Sequence, residues 1–389
     1  MTSRSSRIAL RQFEFPDTEN GLTPTECWHC VGSDEHGRIF AGGMDHRTNA
    51  ALYLLEPGAK AMICIGDASS ASLAAGNLTR GETFQKFHTR PLARGRMVYV
   101  ASLNYSGIDA GYKGERGAHL YRYSLDDASF RDLSALYPGG LASGPSGIVA
   151  LASSGSSDWI AGMTTPDANL ILLNTKSSTK KLLGRPDAYD RDHLYAGRVL
   201  WCGSDERIYF TAGNPYWGSY DNEIYNHVHY YDQKLGKFGE QPNWRLRESR
   251  AIETCQWTND REKCFLVDDV GRIYVFDNRK IDFNELGALP TMPDERIWVF
   301  HLFEEMNAAF FISSTVDLKR SLPALYKFDF QAGKGIRICY LRDIHSNFED
   351  KDFFTGYDAQ DLERRFYFTS FSSRSNQRLV LNRMDPRHL

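Results

Sequence analysis

The sequence is short of the features that usually announce a function. Its 389 residues carry a formal net charge of only −3, so no basic footprint recommends nucleic acid or an anionic membrane as partner. No apolar run approaches the roughly 18 residues that span a bilayer. Residues 1–11 are polar and basic, without the apolar core of a secretory signal. The seven cysteines are odd in number and scattered from Cys27 to Cys339, which does not read as a disulfide framework. A reducing, cytoplasmic setting is the expectation. There is no Gly-rich phosphate loop, no Gly-x-Ser-x-Gly elbow and no kinase set. Sialidase Asp-box and WD-repeat signatures are missing, and long helical patterns are few.

Aromatic residues, by contrast, are plentiful. Tyr 20, Phe 23 and Trp 7 make 13% of the chain, beside 32 glycines. Aromatic and β-branched residues in short runs between Gly, Asp and Asn favour strands. The chain reads as all-β.

Internal repeats give the architecture. One aromatic-rich run recurs around Ile39, Val98, Ile160, Ile208, Phe265, Phe310 and Phe366, at steps of 45 to 62 residues. A second run follows each, starting at Leu52, Leu120, Leu170, Val228, Ile273, Leu325 and Leu379. Each unit is read as four strands, with one more before and one after the marked pair. Such a unit has two apolar faces and buries them only against its neighbours. The expectation is one domain over 1–389, a seven-bladed β-propeller, with an open sandwich as the alternative. The last unit lacks chain for an outer strand, so the N-terminal run at 8–15 is expected to pair with it and close the ring.

Propeller topology sets which residues converge. Loops from second to third strands, and loops between blades, share one face. Two of these are long: 102–119, with Asn104, Tyr105 and His119, and 211–227, with Asn214 and Trp217. Long loops on a rigid scaffold are where binding is built, and aromatic and amide content suits a sugar. The starts of the blades add His88, Arg90, Tyr195, Arg198 and Tyr357. A histidine can accept a proton near neutral pH, and an arginine offers a two-pronged fork to a carboxylate.

His88-Thr89, the run Gly117-Ala118-His119-Leu120-Tyr121-Arg122-Tyr123 and Tyr195-Ala196-Gly197-Arg198 together resemble the seven-bladed propeller polysaccharide lyases. These include the ulvan lyases and the rhamnose–glucuronate lyases. The resemblance implies β-elimination at a uronic acid by a histidine, a tyrosine and a cation, which fall here on His88, Tyr195 and Arg198. Arg90, Asn104, Tyr105, His119, Asn214, Trp217 and Tyr357 are the expected substrate-binding residues. Asn104 stands where that family has a second histidine. The expected partner is an oligosaccharide or polysaccharide. A propeller hydrolase or isomerase, or a non-catalytic sugar- or protein-binding propeller, is the alternative.

Two further signals concern metals and redox chemistry. His227 and His229 lie on one face of a strand and make a candidate divalent-metal pair, with Cys202 or His193 as further ligand. Cys27-Trp28-His29-Cys30 has CxxC spacing, but strand alternation would put its cysteines on opposite faces, and no second CxxC exists.

Overall fold

A computed structural model describes residues 9–45, 47–78, 82–84, 86–103, 117–141, 147–153, 157–165, 167–186, 195–213, 227–246, 251–315, 318–349, 351–372 and 378–388. Almost all its regular structure is strand, and helices are short, such as Ala68–Ala74. No helix of the described residues is long and apolar enough to cross a membrane.

Val31–Ser33, Ile39–Met44, Ala50–Leu55 and Ile63–Asp67 form the first antiparallel sheet, in that order. In the second, Lys86–Phe87 and Leu92–Arg94 both pair with Met97–Leu103, followed by Leu120–Ser124 and Phe130–Asp132. Gly147–Ser153, Trp159–Thr165, Leu170–Asn174 and Lys180–Gly184 make the third. Tyr195–Cys202, Arg207–Gly213, His227–Asp232 and Lys237–Arg245 make the fourth. Ile252–Trp257, Lys263–Asp268, Arg272–Asp277 and Asp282–Ala288 make the fifth. The remaining strands form one eight-stranded sheet. Its halves are Glu295–Phe303 to Lys334–Tyr340, and Phe353–Tyr357, Phe366–Phe371, Val380–Met384 with Leu10–Glu14. A short parallel pairing of Val299 with Gly356 and Phe300 with Tyr357 joins them.

The two families of runs found in the sequence fall on the second and third strands of these units, and their burial explains their composition. Ile39–Met44, Ala50–Leu55 and Ala308–Thr315 are buried at every position, because both faces are covered by neighbouring sheets. Outer strands such as Lys180–Gly184 are partly exposed and polar. Trp201, Tyr53, Tyr121, Tyr209, Tyr274 and Tyr326 are almost wholly buried, each contributing about 2–3 kcal/mol of burial.

From the third sheet to the last the first strands pack against one another in chain order, and Lys86–Phe87 and Met97–Leu103 link the second sheet to its neighbours. The first sheet also meets the last: Ser33 Oγ donates to the Asp358 carbonyl at 2.8 Å, and Thr355 Oγ1 to the Cys27 carbonyl at 2.9 Å. A common interior therefore lies between the first strands, and it is here that polar side chains gather.

Candidate functional site

The first strands are not regular. In six of them extra residues bulge out of register with the second strand. Cys27, Trp28, His29 and Cys30 stand opposite Gly42 and Gly43, between the pairs Glu26–Met44 and Val31–Ala41. His88, Thr89, Arg90 and Pro91 stand opposite Val100 and Ala101. Gly197, Arg198 and Val199 face only Thr211, and Val149, Glu253 and Trp298 are single insertions. A bulge bends the strand and re-aims its side chains. Five of these bulges deliver His29, His88, Arg198, Glu253 and Trp298 to one polar cluster near the strand starts.

Local sequence permits these bulges. A Cβ on Gly197 would lie 2.2 Å from the Thr211 carbonyl oxygen, so only glycine fits beside Arg198. A Cβ on Gly42 would lie 2.8 Å from the Cys30 sulfur, so glycine again makes room. His29 adopts φ +62°, a left-handed conformation that a histidine takes only when its surroundings hold it there.

Arg198 is the hub of the cluster. Its Nη1 donates to Glu253 Oε2 and to His29 Nε2, both at 2.9 Å. His29 must accept through Nε2, so the neutral ring carries its proton on Nδ1, which has no partner among the described residues. Burial, then the charges of Arg198 and Lys86, hold the His29 basicity well below its ordinary range. The His88 ring lies tilted against His29 with centres 5.0 Å apart, and Trp298 packs edge-on to His29 at 5.7 Å. Lys86 is 6% exposed, with its ammonium over the Trp28 ring. Burial, reinforced by Arg198 and opposed by Glu26, brings its amine down to about 7. Burial raises the Glu253 carboxyl against the pull of Arg198. Trp28, half-buried, donates from Nε1 to Glu26 Oε2 at 2.6 Å and contacts Trp298, Phe353 and Phe371. An aromatic platform thus flanks a cluster of two imidazoles, an amine and a guanidinium.

Of the residues proposed from sequence, His88 and Arg198 lie in this cluster, linked through His29. Tyr195 opens the same strand as Arg198, and only its backbone is described. Arg90 and Tyr357 lie deeper, in a cavity of about 220 Å³ between the first strands. Arg90 is ion-paired with Asp358 and stacked over the Tyr357 ring, leaving little of either for a ligand at the mouth. His119 is elsewhere, wholly buried between Asp132 at 2.7 Å and Glu82 at 3.1 Å. Asn104, Tyr105, Asn214, Trp217 and His193 lie outside the described residues.

His227 and His229 stack with ring centres 6.4 Å apart, and Glu240 lies 3.5 Å from His227 Nδ1. Among the described residues no three His, Cys, Asp or Glu side chains are grouped to hold an ion, and His193, one of the further ligands considered, lies outside them. The alternation argued for Cys27 and Cys30 fails because 27–30 is not extended strand. Cys27 Sγ donates to the Cys30 carbonyl at 3.6 Å, and both thiols are buried core. The useful residues of that motif are the two between, Trp28 and His29. Lys86, His29 and Glu253 were missed in the sequence. Only the glycine pair Gly42-Gly43 opposite Cys27-Trp28-His29-Cys30 hinted at a bulge.

No protein-family profile and no curated protein sequence matches this chain. Solved structures do. YCF48 from Cyanidioschyzon merolae is 10% identical, with a TM-score of 0.55 over 97% of this chain and 99% of that one. The β-propeller domain of Myceliophteria thermophila Cps50 (Swd1) is 10% identical, with a TM-score of 0.58 over 96% and 99%. An oligogalacturonate lyase in complex with manganese is 12% identical, with a TM-score of 0.56 over 98% of each chain. The fold is a β-propeller. At these identities the likeness shows nothing more.

Proposed function

We propose that this chain is a seven-bladed propeller acting on uronate-containing oligosaccharides by β-elimination, with the chemistry at the Arg198 cluster. Seven blades follow if the eight-stranded sheet is divided at its short parallel pairing. Closure by the N-terminal strand is supported by the pairing of Leu10–Glu14 with Val380–Met384. The observation that carries the function is the convergence of a guanidinium with an amine held near 7 beside the Trp28 platform.

The chemistry follows from these groups. A proton next to a uronate carboxylate is barely acidic while the carboxylate keeps its full charge. Arg198 pairs with that carboxylate and stabilises the charge that develops as the proton leaves, an effect of a few kcal/mol at a preorganised site. Lys86, largely neutral above about pH 7, takes the proton on Nζ. The C–H electrons form the new double bond as the glycosidic C–O bond breaks, and the ammonium returns the proton to the departing oxygen. His29, with His88 packed against it, positions the guanidinium. Trp28, with the Lys86 ammonium over its ring, holds that amine in the cluster.

The test is incubation with oligogalacturonate and glucuronate-bearing oligosaccharides while following the ultraviolet band of an unsaturated uronate. Absence of that band with every such substrate sinks the lyase reading. A non-catalytic sugar-binding propeller is the second reading. It is favoured by the pairing of Arg198 with Glu253 and by the low exposure of His88 at 4%. It predicts binding of the same oligosaccharides, seen by calorimetry, without the band.

A further inference from the structure

Beyond the Arg198 cluster, towards the ends of the first strands, the cavity of about 220 Å³ is walled by Arg90, Cys202, Cys255, Trp257, Arg261 and Tyr357. It is smaller than the pockets that hold drug-sized ligands. Its aromatic faces are already covered, Tyr357 by Arg90 at 5.4 Å and Trp257 by Arg261 at 5.0 Å. What it presents is a thiol among guanidiniums.

Of the three guanidiniums around it, two have carboxylate partners. Arg90 pairs with Asp358, and Arg198, which reaches the same cavity, pairs with Glu253. Among the described residues no carboxylate pairs with Arg261. Cys255 lies within reach of Arg90, whose Nη1 donates to the Cys255 carbonyl at 3.4 Å, and within the field of Arg261. Cys264 Sγ donates weakly to the Phe265 carbonyl at 3.9 Å, and its thiol is near enough to influence Cys255. In the ladder Cys255 faces Leu266 and Cys264 faces Trp257, so the cysteines are diagonal neighbours on one face. We propose that Cys255 is an oxidation-sensitive thiol, open to hydroperoxides through the cavity and resolved by Cys264 as a disulfide.

The steps balance. The Cys255 thiolate attacks one peroxide oxygen, the O–O bond breaks, and the leaving hydroxide picks up a proton as water. The sulfur, oxidised by two electrons, becomes a sulfenic acid. The Cys264 sulfur then attacks it, an S–S bond forms, and the hydroxyl leaves with the Cys264 proton as a second water. Activation has a physical source. The neighbouring Cys264 thiol, joined by the charges of Arg90 and Arg261, outweighs burial and brings the Cys255 thiol below its ordinary range. At Cys202, on the same cavity, burial dominates and pushes the thiol up to about 12.

That contrast supplies the control. Alkylation of the native protein with iodoacetamide at neutral pH, followed for each cysteine by mass spectrometry, should modify Cys255 at least about tenfold faster than Cys202. Hydrogen peroxide should then yield a linked Cys255–Cys264 peptide pair. In Cys264→Ser a sulfenic acid trapped by dimedone at Cys255 should take its place. Arg261 is exposed, so Arg261→Gln should fold and slow Cys255 alkylation several-fold. Equal rates at Cys255 and Cys202 would overturn the proposal. So would oxidation confined to the half-buried Cys64 and Cys339.

Discussion

Two buried histidine clusters in this propeller are built on opposite terms. His119 is wholly enclosed, and both its nitrogens are taken, Nδ1 by Asp132 and Nε2 by Glu82. Ser72 and Asn77 satisfy Asp132 as well, at 2.7 and 3.0 Å. Burial alone would depress the imidazolium, but the two carboxylates outweigh it and lift it to about 9. His29 is as deeply buried, yet its neighbours are cations and its Nδ1 is left without a partner among the described residues. A satisfied network stabilises the fold and has nothing left to offer a ligand. An under-satisfied one is tolerated where something else uses it.

The sharpest way to break this contrast is to remove one residue from each cluster. Arg198→Gln should lower turnover of a uronate oligosaccharide by about 10²–10³-fold, the loss typical of a preorganised donor. His119→Leu should leave turnover per folded molecule unchanged. Instead it should cost about 3–5 kcal/mol in chemical denaturation, because Asp132 and Glu82 remain buried without their counter-charge. His29→Leu removes an orphaned Nδ1 along with the Nε2 acceptor of Arg198, whose Nη1 keeps Glu253, and should change stability by less than about 1 kcal/mol. A large loss of stability in His29→Leu would show that the two clusters are alike.

The same contrast should appear as opposite slopes with pH. The folded imidazolium of His119 titrates at about 9, above the ordinary unfolded value near 6.5. Its contribution, about 3 kcal/mol, is therefore full below pH 6.5 and lost as pH rises through about 9. The depression of Asp132 to about 2 comes from the same bonds seen from the other end and does not add to this. Lys86 runs the other way. Its folded amine titrates at about 7 and its unfolded one near 10.5, so the unfolded chain binds more protons between them. Stability from Lys86 rises over that window. Denaturation of Lys86→Met and His119→Leu between pH 6 and 10 should separate the two slopes. Parallel curves would refute the assignment.

How much of this was legible follows from the period of the strand. Runs such as Leu325-Tyr326-Lys327-Phe328 announce sheet because their apolar content reports burial on both faces, and that signal survives in any register. The Asp-rich turns are equally plain. Asp34, Asp232, Asp268, Asp329 and Asp361 each accept two backbone N–H groups from the residues that follow. Bulges are different. An inserted residue flips everything after it to the other face, and nothing in a two-residue period predicts where it occurs. His88 and Arg198 were found as types at the starts of strands. His29, Glu253 and Trp298 were hidden because their direction depends on insertions settled by pairing. The enclosure of His119 was hidden for a related reason, since its carboxylates come from positions 82 and 132, far apart in sequence.

The smallest expected effect bears on the weakest point of the Arg198 cluster, the ion pair already there. Glu253 is 9% exposed, and its carboxyl is raised by burial even with Arg198 beside it. It competes with any incoming uronate for the same guanidinium. Glu253→Gln keeps an oxygen to accept the Arg198 N–H but removes the charge. If Arg198 receives the substrate carboxylate, this change should tighten uronate binding by several-fold, roughly 1 kcal/mol, read by calorimetry at low ionic strength. Raising the salt should shrink the gain, since the carboxylate reaches Arg198 through solvent. If Arg198 serves only to hold the first strands together, Glu253→Gln should weaken the fold and leave affinity where it was. Those outcomes differ in sign and in the quantity that moves, so one variant separates a binding guanidinium from a structural one.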